Sequence, residues 1–455
     1  MDVNGKKVFV AGAGKSGIHA AKLLLSRGAK VILFDENTKE SEEDIAKKVG
    51  LKGDLTIMIG ALDDAALDGT AFMVISPGIP VDAPFTEHFR KKHIEIWSEI
   101  ELAYRLSGGK IAAITGTNGK TTTTTLVGEI MKAWQDSVFV VGNIGIPYTH
   151  VANEIQKDSA VVAEISSFQL ETIHEFAPKV SAILNVTPDH LNRHYTFENY
   201  ANTKLKITMN QQAEDVCVLN YDDSVTKEMG EKLIKKGAPH VVYFSRLCAL
   251  DSGICIENGD IVVKDGGQTK RAMSLSDIRL LGSHNVENYM AAIAIAYYMG
   301  VSLDVIERVC KEFSGVEHRI EYVRTVNGVD YYNDSKGTNP DAAIKAVEAM
   351  VKPTILIGGG YDKKSTYDEW ILSFGDKVKK LVLIGVTAQA IADTAKKYGF
   401  SEIAFADSLE EAVQICAASA TEGDAVLLSP ACASWDMFKS YEQRGELFKE
   451  YVNAL

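Results

Sequence analysis

KIAAITGTNGKTTTTT, residues 110–125, decides the fold class. Ile111-Ala112-Ala113-Ile114 is a short apolar run that reads as a buried strand, and the threonine-rich stretch beyond it winds into a helix. Between them stands TGTNGKTT, residues 115–122. A strand, a glycine turn and a helix start make a phosphate cradle. The glycines let the backbone approach an anion, free N–H groups at the helix start face it, and Lys120 adds a positive charge. The Thr121 hydroxyl is placed to hold magnesium on the bound phosphate. The spacing Gly116-x-x-Gly119-Lys120-Thr121 is two residues shorter than the usual nucleotide loop. The octet alone therefore leaves a second reading open, a Gly-Lys turn capping an ordinary helix.

Upstream, Val8 to Ala11 is a strand, GAGKSG (12–17) opens a helix to about Ser26, and Gly28 ends it. Val31 to Phe34 follows with Asp35 at its tip. Glycines at this spacing with an acid about 20 residues on form the dinucleotide fingerprint, which taken alone predicts NAD. Its physics is broader: a phosphate can sit on this helix start, whichever nucleotide owns it, and a ligand-free βαβ unit also has this pattern. A third strand, Ala71 to Ile75, ends in Ser76-Pro77-Gly78-Ile79-Pro80, a rigid turn expected beside the glycine loop. This domain is expected to span 1–98, and Ser107-Gly108-Gly109 is a hinge signal.

Downstream of the phosphate loop, apolar strands recur at α/β spacing: 138–141, 160–163, 180–184, 216–219 and 241–244. Their ends carry GNIG (142–145), Glu164 within AEISSFQLE (163–171), and NVTPDHLNRH (185–194). A carboxylate at a strand end beside a phosphate loop suits magnesium, which prefers oxygen ligands. A lone Glu164 or His190 is otherwise an ordinary polar surface residue. The apolar run from Tyr289 to Val301 is a buried helix, entered through His284, Asn285 and Asn288. It is too short to span a bilayer. A central domain over 99–315 follows. From 316 to 455, a hairpin around Asn327-Gly328 leads into NDSKGTNP (333–340), with Pro340 in the first turn of a helix. Strands at 354–357, 381–384, 403–406 and 425–428 make a third α/β unit. Two of them end in GGGYDKK (358–364) and SPACASWDMFKSY (429–441). Cys432 reads as a small buried thiol, since no histidine lies near it in sequence.

The chain's 455 residues exceed one core, and 46% apolar with 24% charged residues is ordinary for a soluble protein. A net charge of −13 argues against nucleic acid and against an anionic membrane surface. The six cysteines have no metal-finger spacing and read as reduced thiols of a cytosolic protein. The N-terminus MDVNGKK runs straight into a strand, without a signal-peptide pattern.

In this order, TGTNGKTT, SSFQLE, NVTPDHLNRH, NDSKGTNP and SPACAS resemble the Mur ligase family of peptidoglycan precursor synthesis, and its D-glutamate-adding branch in particular. The phosphate loop is also shared with folylpolyglutamate synthases. The Asp-Asn-Pro-Arg motif of the diamino-acid-adding branch is absent. The resemblance implies an α/β protein of three domains, each a mostly parallel sheet with flanking helices: Rossmann-like, P-loop ATPase-like and Rossmann-like. It implies a cytoplasmic, monomeric ligase that joins D-glutamate to UDP-N-acetylmuramoyl-L-alanine with ATP and two Mg2+.

It also implies residue roles. Gly116, Thr117, Asn118, Gly119, Lys120, Thr121 and Thr122 would cradle the ATP phosphates, Asn285 and Asn288 face the adenine, Asp334 the ribose, and Arg319 the transferred phosphate. Thr121 and Glu164 would hold one magnesium and His190 the second. Lys204 matches the lysine that the family carbamylates, a change that turns a repelling ammonium into an oxygen ligand. The catalytic set is thus Lys120, Glu164, His190, Lys204 and Arg319. The uridine nucleotide would lie on Ala13, Gly14, Lys15, Ser16, Asp35, Ser76, Pro77, Gly78 and Ile79, and Asn143 would contact the γ-phosphate or the UDP substrate. Lys336, Thr338, Lys363, Ser434 and Tyr441 would line the D-glutamate pocket. Tyr441 departs from the phenylalanine expected there. Outside this class stand an NAD-linked oxidoreductase, which leaves the second phosphate loop unexplained, and a nucleotide sensor, for which Lys204 would be dispensable.

Overall fold

The computed structural model describes residues 1–362 and 365–455. Three sheets carry the chain. The first has β1 (Lys7–Ala11), β2 (Lys30–Asp35), β3 (Leu55–Ile59), β4 (Thr70–Ile75) and β5 (Glu95–Ser98) in the order β3-β2-β1-β4-β5. All its pairings are parallel. The chain winds outward from β1 in both directions, so a crevice opens at the carboxyl ends of β1 and β4, where such sheets bind ligands. The strand expected third, at Ala71–Ile75, is therefore the fourth. Leu55–Ile59 was missed because it lies at the sheet edge with its side chains half-buried, which blurs the apolar alternation.

The second sheet has β6 (Lys110–Thr115), β7 (Val138–Gly142), β8 (Ala160–Glu164), β9 (Val180–Ile183), β10 (Val216–Asn220) and β11 (His240–Ser245). It continues with β12 (Gly253–Glu257), β13 (Asp260–Asp265) and β14 (Gln268–Ser274). The order is β14-β13-β12-β11-β10-β9-β6-β8-β7. From β7 to β12 the strands pair in parallel; β13 and β14 add antiparallel hairpins that the sequence reading did not foresee. β6 lies between β8 and β9, so a second switch point falls at the phosphate loop. Strand β6 is buried from Ile111 to Thr115, which is why its sequence is a continuous apolar run instead of an alternation.

The third sheet has β15 (Glu321–Val326), β16 (Val329–Asn333), β17 (Thr354–Gly358), β18 (Val378–Leu383), β19 (Ile403–Phe405) and β20 (Ala425–Leu428), in the order β15-β16-β20-β17-β18-β19. Strands β15 and β16 form the expected hairpin, turning at Asn327 (φ 50°) and Gly328 (φ 78°). The other pairings are parallel. Asn333 of β16 stands opposite Leu428 of β20, so the NDSKGT and SPACAS loops leave the sheet side by side.

By packing, the chain forms two compact units. One holds Met1–Ile278 and Val286–Lys311, the other Arg279–Asn285 and Glu312–Leu455. The first unit contains the first two sheets, and one apolar cluster runs from Val8 and Val10 through Trp97, Leu102 and Tyr148 to Val161 and Ala163. In the second unit, apolar clusters cover both faces of the third sheet, around Leu356 on one side and Ile355 and Ile357 on the other.

Candidate active site

At the end of β6 the loop 116–119 enters the helix Lys120–Trp134. Gly116 has φ 152° and Gly119 φ 83°, backbone that a side chain resists. A Cβ on Gly119 would lie 2.2 Å from Asn288 Oδ1. Asn288 is buried, and the Thr123 hydroxyl lies 3.4 Å from the same oxygen. The loop is also clamped from β9: Asn185 Oδ1 accepts from Asn118 N at 2.8 Å, and Thr117 N donates to Asn185 O at 3.0 Å. Thr117 Oγ1 reaches both Thr187 O and Tyr200 Oη at 3.2 Å. Asn185 and Tyr200 had no assigned role in the sequence reading, although Asn185 opens the NVTPDH motif. Lys120 Nζ turns back to donate to the carbonyls of Gly116 and Thr117 at 2.9 Å. Thr121 stands half-buried and Thr122 buried at the helix start.

The sheet order brings two further motifs to this loop. On one side of β6, Glu164 of β8 stands opposite Ile114. Its carboxylate is 2% exposed. Oε1 accepts from Asn143 Nδ2 at 2.8 Å, while the buried Oε2 has no hydrogen-bond partner. An ionised carboxylate oxygen left without a donor in such burial is costly, and a cation would satisfy it. Thus Glu164 fits a magnesium ligand by its own chemistry. On the other side, β9 leads to His190, which has φ 52°, an exposed ring 4.9 Å from Phe168, and Nε2 3.4 Å from Asp189 Oδ2.

Lys204, on the helix Phe197–Leu205, projects to the same loop. It is 1% exposed, and its Nζ donates to Gly116 O at 2.8 Å, the carbonyl that also takes Lys120. Burial, and then the Lys120 charge, pull its pKa down to about 7. The Tyr200 ring lies 4.6 Å from the Nζ.

In the first sheet, Asp35 receives the Ala13 amide at 2.7 Å and the Asn37 amide at 2.8 Å. Ala13, Gly14, Lys15 and Asp35 line a cavity of about 510 Å³ together with His19, Lys22 and Lys48. Ser16 is half-buried at the start of the same helix. The turn after β4 closes with Ile79 N donating to Ser76 O at 3.0 Å, across Pro77 and Gly78. A Cβ on Gly12 would lie 2.6 Å from Ser76 Oγ, a buried hydroxyl without a partner. The turn and the glycine loop are therefore neighbours, as expected. A tie that sequence reading missed joins this turn to the central sheet. Arg193 Nη2 donates to Ile79 O at 2.8 Å and to Glu171 Oε2 at 2.6 Å, and its Nε donates to Glu171 Oε1 at 3.1 Å.

The second unit gathers the remaining candidates. Asp334 is buried; its Oδ2 accepts from Ser429 Oγ at 2.7 Å and its Oδ1 from Ile320 N at 3.3 Å. Burial raises its pKa to about 7, against the pull of Ser429 and Arg319. Arg319 is exposed between His318 (φ 63°) and Ile320 (φ 45°). A β-branched residue at positive φ is strained, and such strain collects at functional sites. The Lys336 ammonium lies 5.8 Å from the Tyr441 ring centroid. Thr338 is half-buried and its amide donates to Lys336 O at 2.9 Å; Ser434 is buried. Lys363 lies outside the described residues. Asn285 belongs to this unit and donates Nδ2 to Leu281 O at 2.6 Å, whereas Asn288 belongs to the first. Cys432 is buried against Tyr367 Oη and Thr387 Oγ1 at 3.2 and 3.3 Å, and burial raises its pKa, as fits a packing thiol.

Three family models match the chain: a Mur ligase MurD-like N-terminal domain over 6–98, a Mur ligase middle domain over 114–296, and a Mur ligase glutamate ligase domain over 318–432. Among similar proteins, the UDP-N-acetylmuramoylalanine–D-glutamate ligase of Lachnospira eligens is 54% identical over all of both chains. Proteins of the same name from Lachnoclostridium phytofermentans and Clostridioides difficile are 52% and 46% identical over all of this chain and 99% and 100% of theirs. Two solved structures share the fold at low identity. UDP-N-acetylmuramate-alanine ligase MurC from Thermotoga maritima has TM-score 0.58 and 20% identity over 99% of each chain. MurF from Acinetobacter baumannii has TM-score 0.59 and 15% identity over 97% of this chain and 93% of its own.

Proposed function

The chain belongs to the Mur ligase family, and from that premise we infer that it is the D-glutamate-adding ligase of peptidoglycan precursor synthesis. It is an ATP-dependent, ADP-forming carbon–nitrogen ligase. A carboxylate oxygen of UDP-N-acetylmuramoyl-L-alanine attacks the γ-phosphorus of ATP, and the bond to ADP breaks. The D-glutamate amine then attacks the acyl carbon and loses a proton. Phosphate leaves with the electrons of the C–O bond. Both partners in the first step are anions, so positive charge held in place must offset their repulsion. Lys120 at the loop and Arg319 supply it from this chain.

The observation that carries this reading is the meeting of Lys204 with the phosphate loop. Two lysine amino groups share the Gly116 carbonyl and repel each other whenever both are protonated. Carbamylation relieves that repulsion: the neutral amine of Lys204 attacks CO2, a C–N bond forms, a proton leaves, and the charge becomes negative. A pKa near 7 supports it, because only the neutral amine is nucleophilic. Thr121, Glu164, His190 and carbamylated Lys204 would then hold two magnesium ions, which neutralise phosphate charge when bound. Asn143 keeps Glu164 oriented by its 2.8 Å hydrogen bond.

The other roles follow the same division. Residues 1–98 bind the uridine nucleotide at Ala13 to Ser16, Asp35 and Ser76 to Ile79, which gives the first glycine loop a ligand other than NAD. Residues 99–315 bind ATP, with Asn285 and Asn288 toward the adenine; residues 316–455 bring Asp334 and the amino-acid pocket of Lys336, Thr338, Lys363, Ser434 and Tyr441.

The test is phosphate release with ATP and magnesium. Release that requires both UDP-N-acetylmuramoyl-L-alanine and D-glutamate is expected. Replacement of D-glutamate by another amino acid at equal rate would overturn the assignment of substrate.

A further inference from the structure

One arginine outside the motifs holds the amino-acid loops together. Arg444 lies on the helix Tyr441–Asn453 and is fully buried. Its Nε donates to Ser335 Oγ at 2.9 Å, and its Nη2 to Ser335 O at 2.8 Å and Cys432 O at 3.2 Å. Its Nη1 donates to Cys432 O at 3.2 Å and to Ala433 O at 3.4 Å. The planar fork thus spans two loops, one following β16 and the other β20. Every acceptor is a carbonyl or hydroxyl oxygen; among the described residues no carboxylate forms an ion pair with it. Burial brings its pKa down to about 10, which leaves it cationic at neutral pH.

Two of the three acceptor residues sit next to a candidate amino-acid contact. Ser335 precedes Lys336, and Ala433 precedes Ser434. The Ser335 hydroxyl donates onward to Tyr441 O at 2.8 Å. The helix itself is seated closely: a Cβ on Gly445 would lie 2.2 Å from His318 Nδ1. Ala431, two residues before Ala433, has φ 57°, so the second loop also depends on outside support to keep its path.

We infer that Arg444 is a positioning residue for amino-acid specificity. It fixes the separation of Lys336, Ser434 and Tyr441, and it places a buried positive charge, which the Asp436 and Asp334 carboxylates partly balance, behind loops that receive a dicarboxylate. Lysine cannot replace it, because one ammonium does not bridge two loops as a fork does. The inference rests on the amino-acid pocket proposed above.

The experiment compares wild type, Arg444→Lys and Ser335→Ala. Three quantities are read: KM for D-glutamate, KM for ATP and for UDP-N-acetylmuramoyl-L-alanine, and acyl-phosphate formed without D-glutamate, trapped by borohydride reduction. For Arg444→Lys, KM for D-glutamate is expected to rise about tenfold or more. The preference for D-glutamate over D-aspartate should narrow. Acyl-phosphate yield and the other two KM values should stay near wild type. Ser335→Ala should show the same pattern more weakly, and it decides the matter if Arg444→Lys does not fold. An unchanged KM for D-glutamate, or an equal loss in all three quantities, overturns the inference. If wild type itself forms acyl-phosphate but does not use D-glutamate, the pocket assignment has failed instead, a distinguishable result.

Discussion

Lys204 carries two opposed costs, and both are measurable. Folding lowers its pKa from 10.5 to about 7, through burial first and Lys120 second. Between those values the unfolded chain binds a proton that the folded chain does not. Its contribution to stability is therefore complete above about pH 10.5 and is lost as pH falls toward 7. Lys204→Met should flatten the rise of Tm with pH across this window, without lowering Tm near neutrality, while cutting amide formation roughly a hundredfold or more. Thermal scans at several pH values, paired with turnover, test both halves; a neutral-pH Tm well below wild type would make Lys204 a structural residue. Glu164 poses the same trade. Its Oε2 is buried without a donor, so Glu164→Gln should leave stability unchanged or higher. The variant should need much more magnesium for half-maximal rate, read from a magnesium titration. An unchanged titration would remove Glu164 from the metal site.

The elements explain why these residues meet. β6 lies between β8 and β9, so one loop faces Glu164 on one flank and Asn185 to His190 on the other. Gly119→Ala tests this geometry. The added methyl enters at φ 83° and 2.2 Å from Asn288 Oδ1, so the helix start must shift. ATP affinity should fall about tenfold or more, seen by nucleotide titration, with the UDP-substrate KM unaffected. Arg193→Lys tests the tie to the first sheet. It breaks the paired contact with Glu171 and the bond to Ile79 O, and KM for the UDP substrate should rise severalfold more than KM for ATP. Equal effects on both would mean that Arg193 only stabilises the fold. What the sequence made legible follows from range. TGTNGKTT, the Asn327-Gly328 hairpin and Pro340 at a helix start are local, and each is where it was expected. β13 and β14 had local turn signals at Asn258-Gly259 and Gly266-Gly267, but β14 is mostly polar and exposed, so its pairing with the apolar Ile261 to Val263 run of β13 left little pattern. Asn185, Arg193 and Arg444 were silent for another reason. Each has a partner far off in sequence, 67, 114 and 109 positions away, and no spacing rule reaches so far.

For the molecule as a whole, the division into two units sets what each ligand can protect. The phosphate loop, Glu164, His190 and Lys204 all lie in the first unit, whereas Asp334, Lys336, Ser434 and Arg444 lie in the second. Among the described residues, the first cluster has a buried carboxylate oxygen without a donor, and the second a buried arginine whose hydrogen-bond acceptors are all neutral oxygens. The first can therefore take up a cation, and the buried charge of Arg444 favours an anion at the second. Ligands that supply the missing charge should slow local opening where they bind. Hydrogen exchange with a non-hydrolysable ATP analogue and magnesium should show slower exchange at 115–122 and 185–190. D-glutamate added to the enzyme with product-side ADP should slow exchange at 333–338 and 430–436, and Arg444→Lys should abolish that second footprint while the first persists. A D-glutamate footprint confined to the first unit would contradict the amino-acid pocket at its root, because the residues assigned to it would then lie in the wrong unit.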